Sequence, residues 1–175
     1  MEKRVSTRTI IICIALMCII GTCMHFVCDL VSSEAAVKVI GLVFPVNETT
    51  WEHMKMIWYP FLVAGIIISV IAKEKAYFGG FVMSGIAAML IQLGVFALYQ
   101  SFTGTSILIL DIIFYMADMI ICALLALLLG KRAWIGKTFY LWVVVAIGVT
   151  AAIIYLTFYP GSGFVFMDDA MLLEN

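Results

Sequence analysis

Two histidines and a few carboxylates are the groups of this chain best suited to chemistry, and they lie among long apolar runs. Two neutral imidazoles and a carboxylate can hold Zn²⁺ and leave one coordination position open for water. We therefore predict a divalent metal such as zinc as cofactor, with the ligands His25, Asp29, His53 and Asp111. The predicted catalytic carboxylates are Glu48, Glu52 and Asp118, of which the first two are alternative ligands. No His-x3-His or His-Glu-x2-His spacing occurs, so the ligands must come from separate elements.

A polar stretch before the second long apolar run contains a signal for the start of a helix. Thr49 and Glu52 have the spacing of a capping box, which predicts that a helix begins near residue 50. On that helix His53 points about 100° away from Glu52. If the helix extends back to residue 48, one face carries Glu48, Glu52, Lys55 and Tyr59. His25 and Asp29, four residues apart, are expected on one face of the first helix, as site residues or as a pair near the headgroups.

A second polar stripe lies within the fourth apolar run. Asp111, Tyr115 and Asp118 are spaced 0, 4 and 7 and therefore share one helix face. A rise of ~1.5 Å per residue puts Asp118 about 18 Å below the outer end, near the middle of a bilayer. An uncompensated Asp there costs roughly 3 kcal/mol. Either a neighbouring helix supplies a hydrogen bond, or Asp118 relays protons or cations in a transporter. The predicted substrate-contacting or gating residues are Asn47, Trp51, Lys55 and Tyr115.

The composition places these residues in a membrane. Of 175 residues, 65% are hydrophobic and 12% are charged, and the mean hydropathy is +1.17. Soluble domains have about 45–50% apolar and about 25% charged residues. This excludes a water-soluble globular protein, a disordered chain and a nucleic-acid binder. We predict an all-α polytopic protein of the cell membrane that is surrounded by membrane lipid and binds an unknown small molecule or lipid.

Five apolar runs are long enough to cross a bilayer. They cover residues 10–30, 56–72, 77–99, 106–129 and 138–158. Residues 34–44 are too few to span and predict a short re-entrant or interfacial helix, and residues 159–175 form an outer tail. Small residues predict a central third span, and the scarcity of polar groups predicts a peripheral fifth span.

The basic residues predict the orientation of the bundle. With the N-terminus in the cytoplasm, eight of the ten Lys and Arg residues lie on the cytoplasmic side, as the positive-inside rule requires, and the C-terminus lies outside. Both histidines and most membrane-depth carboxylates then fall in the outer half. This coincidence predicts one outward-facing polar cavity in the single integral membrane domain of residues 1–175.

The stretch from Phe44 to Lys55 resembles a phrase of an uncharacterised family of small bacterial integral membrane proteins from Firmicutes and their relatives. The phrase is Pro-Val-Asn-Glu-x-x-Trp-Glu-His-x-Lys, and a His-x3-Asp pair matching His25 and Asp29 also recurs in that family. The family has no assigned activity, so the resemblance implies no substrate. It implies that the positions to test are Asn47, Glu48, Trp51, Glu52, His53 and Lys55.

Three functions follow as alternatives. The first is a metal-dependent hydrolase of the outer leaflet. The second is a small transporter or solute-binding subunit, which with five spans would need a partner or a homo-oligomer. The third is a structural or regulatory subunit whose polar groups only fix the register of the helices. The chain has no G-x-S-x-G, phosphate-binding loop or dinucleotide fingerprint.

Overall fold

The computed structural model of the protein describes residues 5–31 and 33–161, and this part of the chain is all-helical. Its helices are α1 (Thr7–Met24), α2 (Glu34–Ile40), α3 (Thr50–Ala72), α4 (Ala76–Thr103), α5 (Leu108–Leu129), α6 (Ala133–Lys137) and α7 (Phe139–Phe158). The helices α1, α3, α4, α5 and α7 are long and apolar enough to cross a membrane. The predicted all-α fold with five spans is confirmed.

The ends of two spans differ from the prediction, and one helix was not predicted. The α-helix of the first span ends at Met24 and is followed by a 3₁₀ turn at Cys28–Leu30, so it does not continue to residue 30. The helix α4 continues to Thr103, beyond the predicted end of the third span at residue 99, and it is closed by Gly104 with a φ of 73°. The five-residue helix α6 was not predicted. Residues 162–175 of the predicted tail lie outside the described residues.

The helix α4 is central, as its small residues predict, because it packs against α3, α5, α6 and α7. A Cβ at Gly80 would lie 2.6 Å from the carbonyl oxygen of Ala126, so the backbones of α4 and α5 meet there. Between α3 and α4 the packing is reciprocal. Gly65 faces Phe81 of α4, and Gly85 faces Phe61 of α3. Small residues thus let the helix axes approach closely, which is how helices associate in lipid.

The helix α7 is peripheral, because its main packing partners are α4 and α3. Two hydrogen bonds attach it to α3. Trp58 Nε1 donates to Thr150 Oγ1 at 2.9 Å, and Thr157 Oγ1 donates to Glu52 Oε1 at 3.0 Å. The outward faces of the bundle carry exposed leucine, isoleucine and valine side chains, for which the bilayer supplies an apolar surrounding.

Pro60 interrupts the hydrogen bonding of α3 and is compensated by another helix. Proline has no N–H, so it cannot donate to the carbonyl of Met56, four residues earlier. The hydroxyl of Tyr115 on α5 donates to this oxygen at 3.2 Å. Gly21 of α1 lies against the same hydroxyl, where any Cβ would collide with it. One proline thereby fixes the relative position of α1, α3 and α5.

We expect the substitution Tyr115→Phe to destabilise the fold only because Pro60 is present. Removing the hydroxyl leaves a buried carbonyl without a donor, which costs about 1–2 kcal/mol and lowers the melting temperature by a few degrees. In a Pro60→Ala background, residue 60 can donate to Met56, and the same substitution should cost much less. A double-mutant cycle of thermal unfolding in detergent measures the difference. Equal losses in the two backgrounds would contradict this account.

Candidate metal centre and adjoining cavity

Three side chains from separate segments converge at one end of the bundle, which we call the histidine end. They are His25, Glu48 and His53, and one ligand atom of each lies within 4.8 Å of the others. The oxygen Oε2 of Glu48 lies 3.8 Å from Nε2 of His25 and 3.7 Å from Nε2 of His53. The two imidazole centroids are 5.2 Å apart. The sequence predicted both histidines as ligands and Glu48 as a catalytic or alternative ligand residue.

The turn before α3 places Glu48 and His53. Asn47 Oδ1 accepts from the backbone nitrogen and the hydroxyl of Thr49, at 3.1 and 2.7 Å. Thr49 Oγ1 in turn accepts from the backbone nitrogen of Glu52 at 3.4 Å and caps α3, which confirms the predicted N-cap. The reciprocal bond of a capping box is replaced, because the backbone nitrogen of Thr49 donates to Asn47 and the Glu52 carboxylate has other partners. Asn47, predicted as a substrate or gate residue, therefore shapes the turn that leads into the helix.

His53 lies in the first turn of α3, and its ring has a defined orientation. Its Nδ1 lies 2.8 Å from the carbonyl oxygen of Thr49. Because a carbonyl only accepts, Nδ1 carries the proton, and a neutral ring keeps the lone pair of Nε2 free on the side of Glu48. Metal-binding histidines typically have this second hydrogen bond, which fixes the tautomer.

His25 approaches from the end of α1. The helix stops at Met24, so the spacing argument that put His25 and Asp29 on one α-helical face is wrong. The side chain of Asp29 lies outside the described residues, and its predicted ligand role stays a prediction. Nδ1 of His25 is buried and has no hydrogen-bond partner among the described residues.

The histidine cluster, meaning His25, Glu48 and His53, has the composition of a catalytic zinc site. Two histidines and one glutamate are the protein ligands in one known class of zinc hydrolase, and a fourth position stays open. Bond lengths of about 2.0–2.1 Å and tetrahedral angles require ligand atoms roughly 3.3 Å apart. The two observed distances from Glu48, 3.7 and 3.8 Å, are longer than this, and the ligand atoms of all three residues lie within 4.8 Å of one another. The three side chains would therefore have to move closer together to hold an ion. The side chain of Glu48 is 59% exposed, which gives an ion access from outside.

A cavity of about 420 Å³ adjoins the cluster. It lies between the ends of α1, α3, α4 and α5, and it is lined by both apolar and polar side chains. The apolar and aromatic ones are Phe26, Met56, Ile57, Phe96, Leu108, Ile112 and Tyr115. The polar ones are Thr22, His25, Glu48, Thr50, His53, Gln92, Gln100, Ser106 and Asp111. The volume is within the range of pockets that bind small organic molecules.

Two glutamines of α4 contribute unpaired polar atoms to this cavity. Gln92 is 2% exposed, and neither its amide nitrogen nor its amide oxygen has a partner among the described residues. The amide oxygen of Gln100 is likewise unpaired within this part of the chain. A buried polar atom without a partner costs about 1–3 kcal/mol. These amide atoms are themselves buried, so a molecule in the cavity would pair with them after a rotation of the glutamine side chains.

Asp111 and Tyr115 line the same cavity from α5, although Asp111 is not part of the histidine cluster. Its carboxylate accepts from the hydroxyl of Tyr99 and from Ser106 Oγ, the latter at 2.5 Å. The structure thus brings together two of the four predicted metal ligands, His25 and His53. It places Asp111 in the cavity wall beside them.

Glu52 and Lys55 form a buried ion pair that does not line the cavity. Lys55 Nζ donates to Glu52 Oε2 at 2.6 Å, and also to the carbonyls of Gly41 and Phe44. Glu52 Oε2 also accepts from the backbone nitrogen of Val46 at 2.9 Å. The predicted catalytic role of Glu52 and the predicted gating role of Lys55 therefore fall on groups that hold the segment after α2 against α3.

Asp118 and Trp51 also lie away from the cavity lining. Asp118 is 6% exposed, and its Oδ1 accepts from Cys122 Sγ at 3.3 Å. Its Oδ2 is buried without a partner among the described residues. Trp51 is half-buried and packs against the hydrophobic core.

Sequence reasoning explained Gln92 and Gln100 by interhelical hydrogen bonding. It counted Gln92 among the polar residues of the outer half but named neither glutamine as a site residue. Gln100 follows the predicted third span, which ended at residue 99, but α4 runs past it and Gln100 lines the cavity. Gly104 was the available signal, because a glycine just after a polar turn of helix marks a C-terminal cap. No comparable signal identifies Thr22 or Phe26.

A protein-family profile with the description "Family of unknown function (DUF6512)" matches residues 1–171 of the chain. No curated protein and no solved structure matches it. The chain therefore belongs to the family DUF6512. Membership agrees with the resemblance to an uncharacterised family and assigns no activity. The Pro-Val-Asn-Glu phrase as a family signature and the Firmicute origin stay predictions.

Proposed function

We propose that this member of DUF6512 is a multi-pass membrane protein that binds a divalent transition metal at the histidine cluster and hydrolyses an amphiphilic molecule held in the adjoining cavity. The observation that carries the proposal is the fixed ring of His53. Its Nδ1 is bonded to the Thr49 carbonyl, and its Nε2 is left free 3.7 Å from Glu48. The positive-inside rule favours an orientation with this site on the outer side.

Three protein ligands favour catalysis over a purely structural metal site. Structural zinc sites usually have four protein ligands, whereas catalytic sites have three and leave a position for water. When bound, zinc lowers the pKa of water to about 7 and so supplies a nucleophile at neutral pH. All three residues of the cluster line the cavity, so a molecule bound there would lie beside an ion held by them.

The cavity lining indicates the class of substrate. Its apolar and aromatic residues suit an acyl chain or another hydrophobic group. Gln92 offers an unpaired donor and an unpaired acceptor, and Gln100 offers an unpaired acceptor. A substrate with an amide or a hydroxyl next to the hydrolysed bond would satisfy these groups. We therefore propose an ester or amide of a long-chain amphiphile.

Detergent-purified protein should hold about one zinc per chain after loading with zinc sulfate and desalting. His25→Ala and His53→Ala should each remove most of the metal, because each deletes one of three ligands, and Glu48→Gln should weaken retention. Elemental analysis by mass spectrometry measures the stoichiometry. Glu74→Gln, a carboxylate at the other end of the bundle, is the matched control and should keep the metal. Zinc-free wild-type protein, or equal retention in all variants, would leave the cluster as an ion pair only.

Gln92→Leu should lower hydrolysis without affecting metal binding or folding. Loss of one hydrogen bond to the substrate predicts roughly a tenfold lower kcat/KM. The melting temperature should stay the same or rise, because an unpaired buried amide is removed. The readout is turnover of a panel of fluorogenic long-chain esters and amides, with and without a chelator. Ser84→Ala is the control, since Ser84 is also buried and unpaired on α4 but does not line the cavity. Equal loss in both variants would speak against a substrate role for Gln92.

A second candidate function is proton conduction, favoured by the buried oxygen of Asp118 that has no partner among the described residues. Asp118 lies two turns along α5 from Asp111, and Tyr115 lies between them on the same face. Proteoliposomes filled with pyranine and energised by a potassium diffusion potential report proton flux. Transport predicts a flux that Asp118→Asn reduces at least tenfold and Glu74→Gln does not. Flux that is absent in the wild type, or equal in Asp118→Asn, rejects this candidate.

A further inference from the structure

A second cleft lies at the opposite end of the bundle from the histidine cluster. We call this the basic end. The cleft has a volume of about 1030 Å³ and lies between the start of α1, the end of α3, the start of α4 and the end of α5. The cavity beside the histidine cluster is lined by the opposite ends of the same four helices. The two sites are therefore separated by the length of the bundle.

The cleft collects positive charge from three separate segments. Lys73 ends α3, Lys131 and Arg132 lie between α5 and α6, and Lys137 ends α6. All four side chains are exposed, and none forms an ion pair with a carboxylate among the described residues. Cationic side chains from segments far apart in the sequence therefore line the same cleft.

One carboxylate, Glu74, also lines the cleft, and it is engaged locally. Its Oε1 accepts from the backbone nitrogen of Ala76 at 3.3 Å, at the first residue of α4. Among the described residues, four cations and one carboxylate line the cleft, so this part of the chain gives it a net positive charge. An anion in it would gain charge-assisted hydrogen bonds without displacing an existing ion pair.

The walls of the cleft are apolar as well as charged. Val5, Ile10 and Leu127 line it together with the cations, and they belong to segments that continue into the spanning helices. Trp134, which is 52% exposed, and the exposed Tyr140 lie nearby in the chain, as aromatic side chains do at the headgroup level of a membrane. Basic pockets between helices with such surroundings are suited to phospholipid headgroups.

We propose that the basic cleft binds a phosphate-bearing anion, whose source is the headgroup of an anionic phospholipid or a free phosphate compound. This site is independent of the histidine cluster. Lys and Arg supply the charge that a phosphate group requires, and Arg132 can bind two of its oxygens at once. The apolar wall favours the lipid source.

Native mass spectrometry of the full chain in detergent tests the lipid source. The probes are dioleoylphosphatidylglycerol and dioleoylphosphatidylcholine, which share acyl chains and differ in net charge. The wild type should retain the anionic lipid at least tenfold more tightly. The double variant Lys131→Gln/Arg132→Gln should weaken its binding about twenty-five-fold, because each cation contributes roughly fivefold. The control variant Lys38→Gln/Lys75→Gln also removes two positive charges, but from residues that do not line the cleft. Lys38 belongs to α2, and the Lys75 ammonium lies over the rings of Phe139 and Tyr140.

Equilibrium dialysis with radiolabelled inorganic phosphate tests the free source. Phosphate bound by the wild type and lost in the cleft double variant, with no preference between the two lipids, would support a soluble ligand. Equal retention of the two lipids together with no phosphate binding would overturn the proposal. So would an equal loss in the cleft and control variants, because it would show that only overall charge matters. Unchanged melting temperatures of both double variants confirm that folding is intact.

Discussion

The buried ion pair between Glu52 and Lys55 is the interaction on which the histidine end depends. Each group has hydrogen-bond partners in the segments that the pair joins. Lys55 binds carbonyls of the segment after α2, and Glu52 binds a backbone nitrogen of that segment and a hydroxyl of α7. Breaking such a pair by removing one partner typically costs about 3–5 kcal/mol. The pair thereby fixes the turn that carries Glu48 and the first turn of α3, which carries His53.

A membrane interior makes the hydrogen-bonding state of each polar group informative. The carbonyl of Met56 lacks its helical donor because of Pro60, and Tyr115 replaces that donor from another helix. By contrast, the amides of Gln92 and Gln100 stay unpaired within the described part of the chain, and both line the cavity. The Tyr115 contact therefore holds the bundle together, and the two unpaired amides mark the part of the cavity where we expect a ligand. Ser84 and Asp118 also have an unpaired buried oxygen among the described residues, but they lie away from the cavity.

The two ends of the bundle have different chemistry and share the same helices. At the histidine end, imidazoles, carboxylates and amides line a cavity. At the basic end, cationic and apolar side chains together line a cleft. The helix α4 contributes to both and packs against most of the other helices, with Gly80 in backbone contact with α5. A shift of α4 against α5 would therefore change both sites, and close packing at glycine opposes such a shift.

The sequence by itself determined the helical class, the five spans and the start of α3. These follow from local quantities, namely the length of apolar runs and the capping spacing of Thr49 and Glu52. Only the tertiary structure decided which polar residues meet. His25 reaches His53 because α1 ends at Met24, whereas Glu52, one residue before His53, points to Lys55 and α7. The physical reason is that the azimuth of each helix about its axis is set by packing with its neighbours. No hydropathy pattern encodes that angle when helices are apolar on nearly every face.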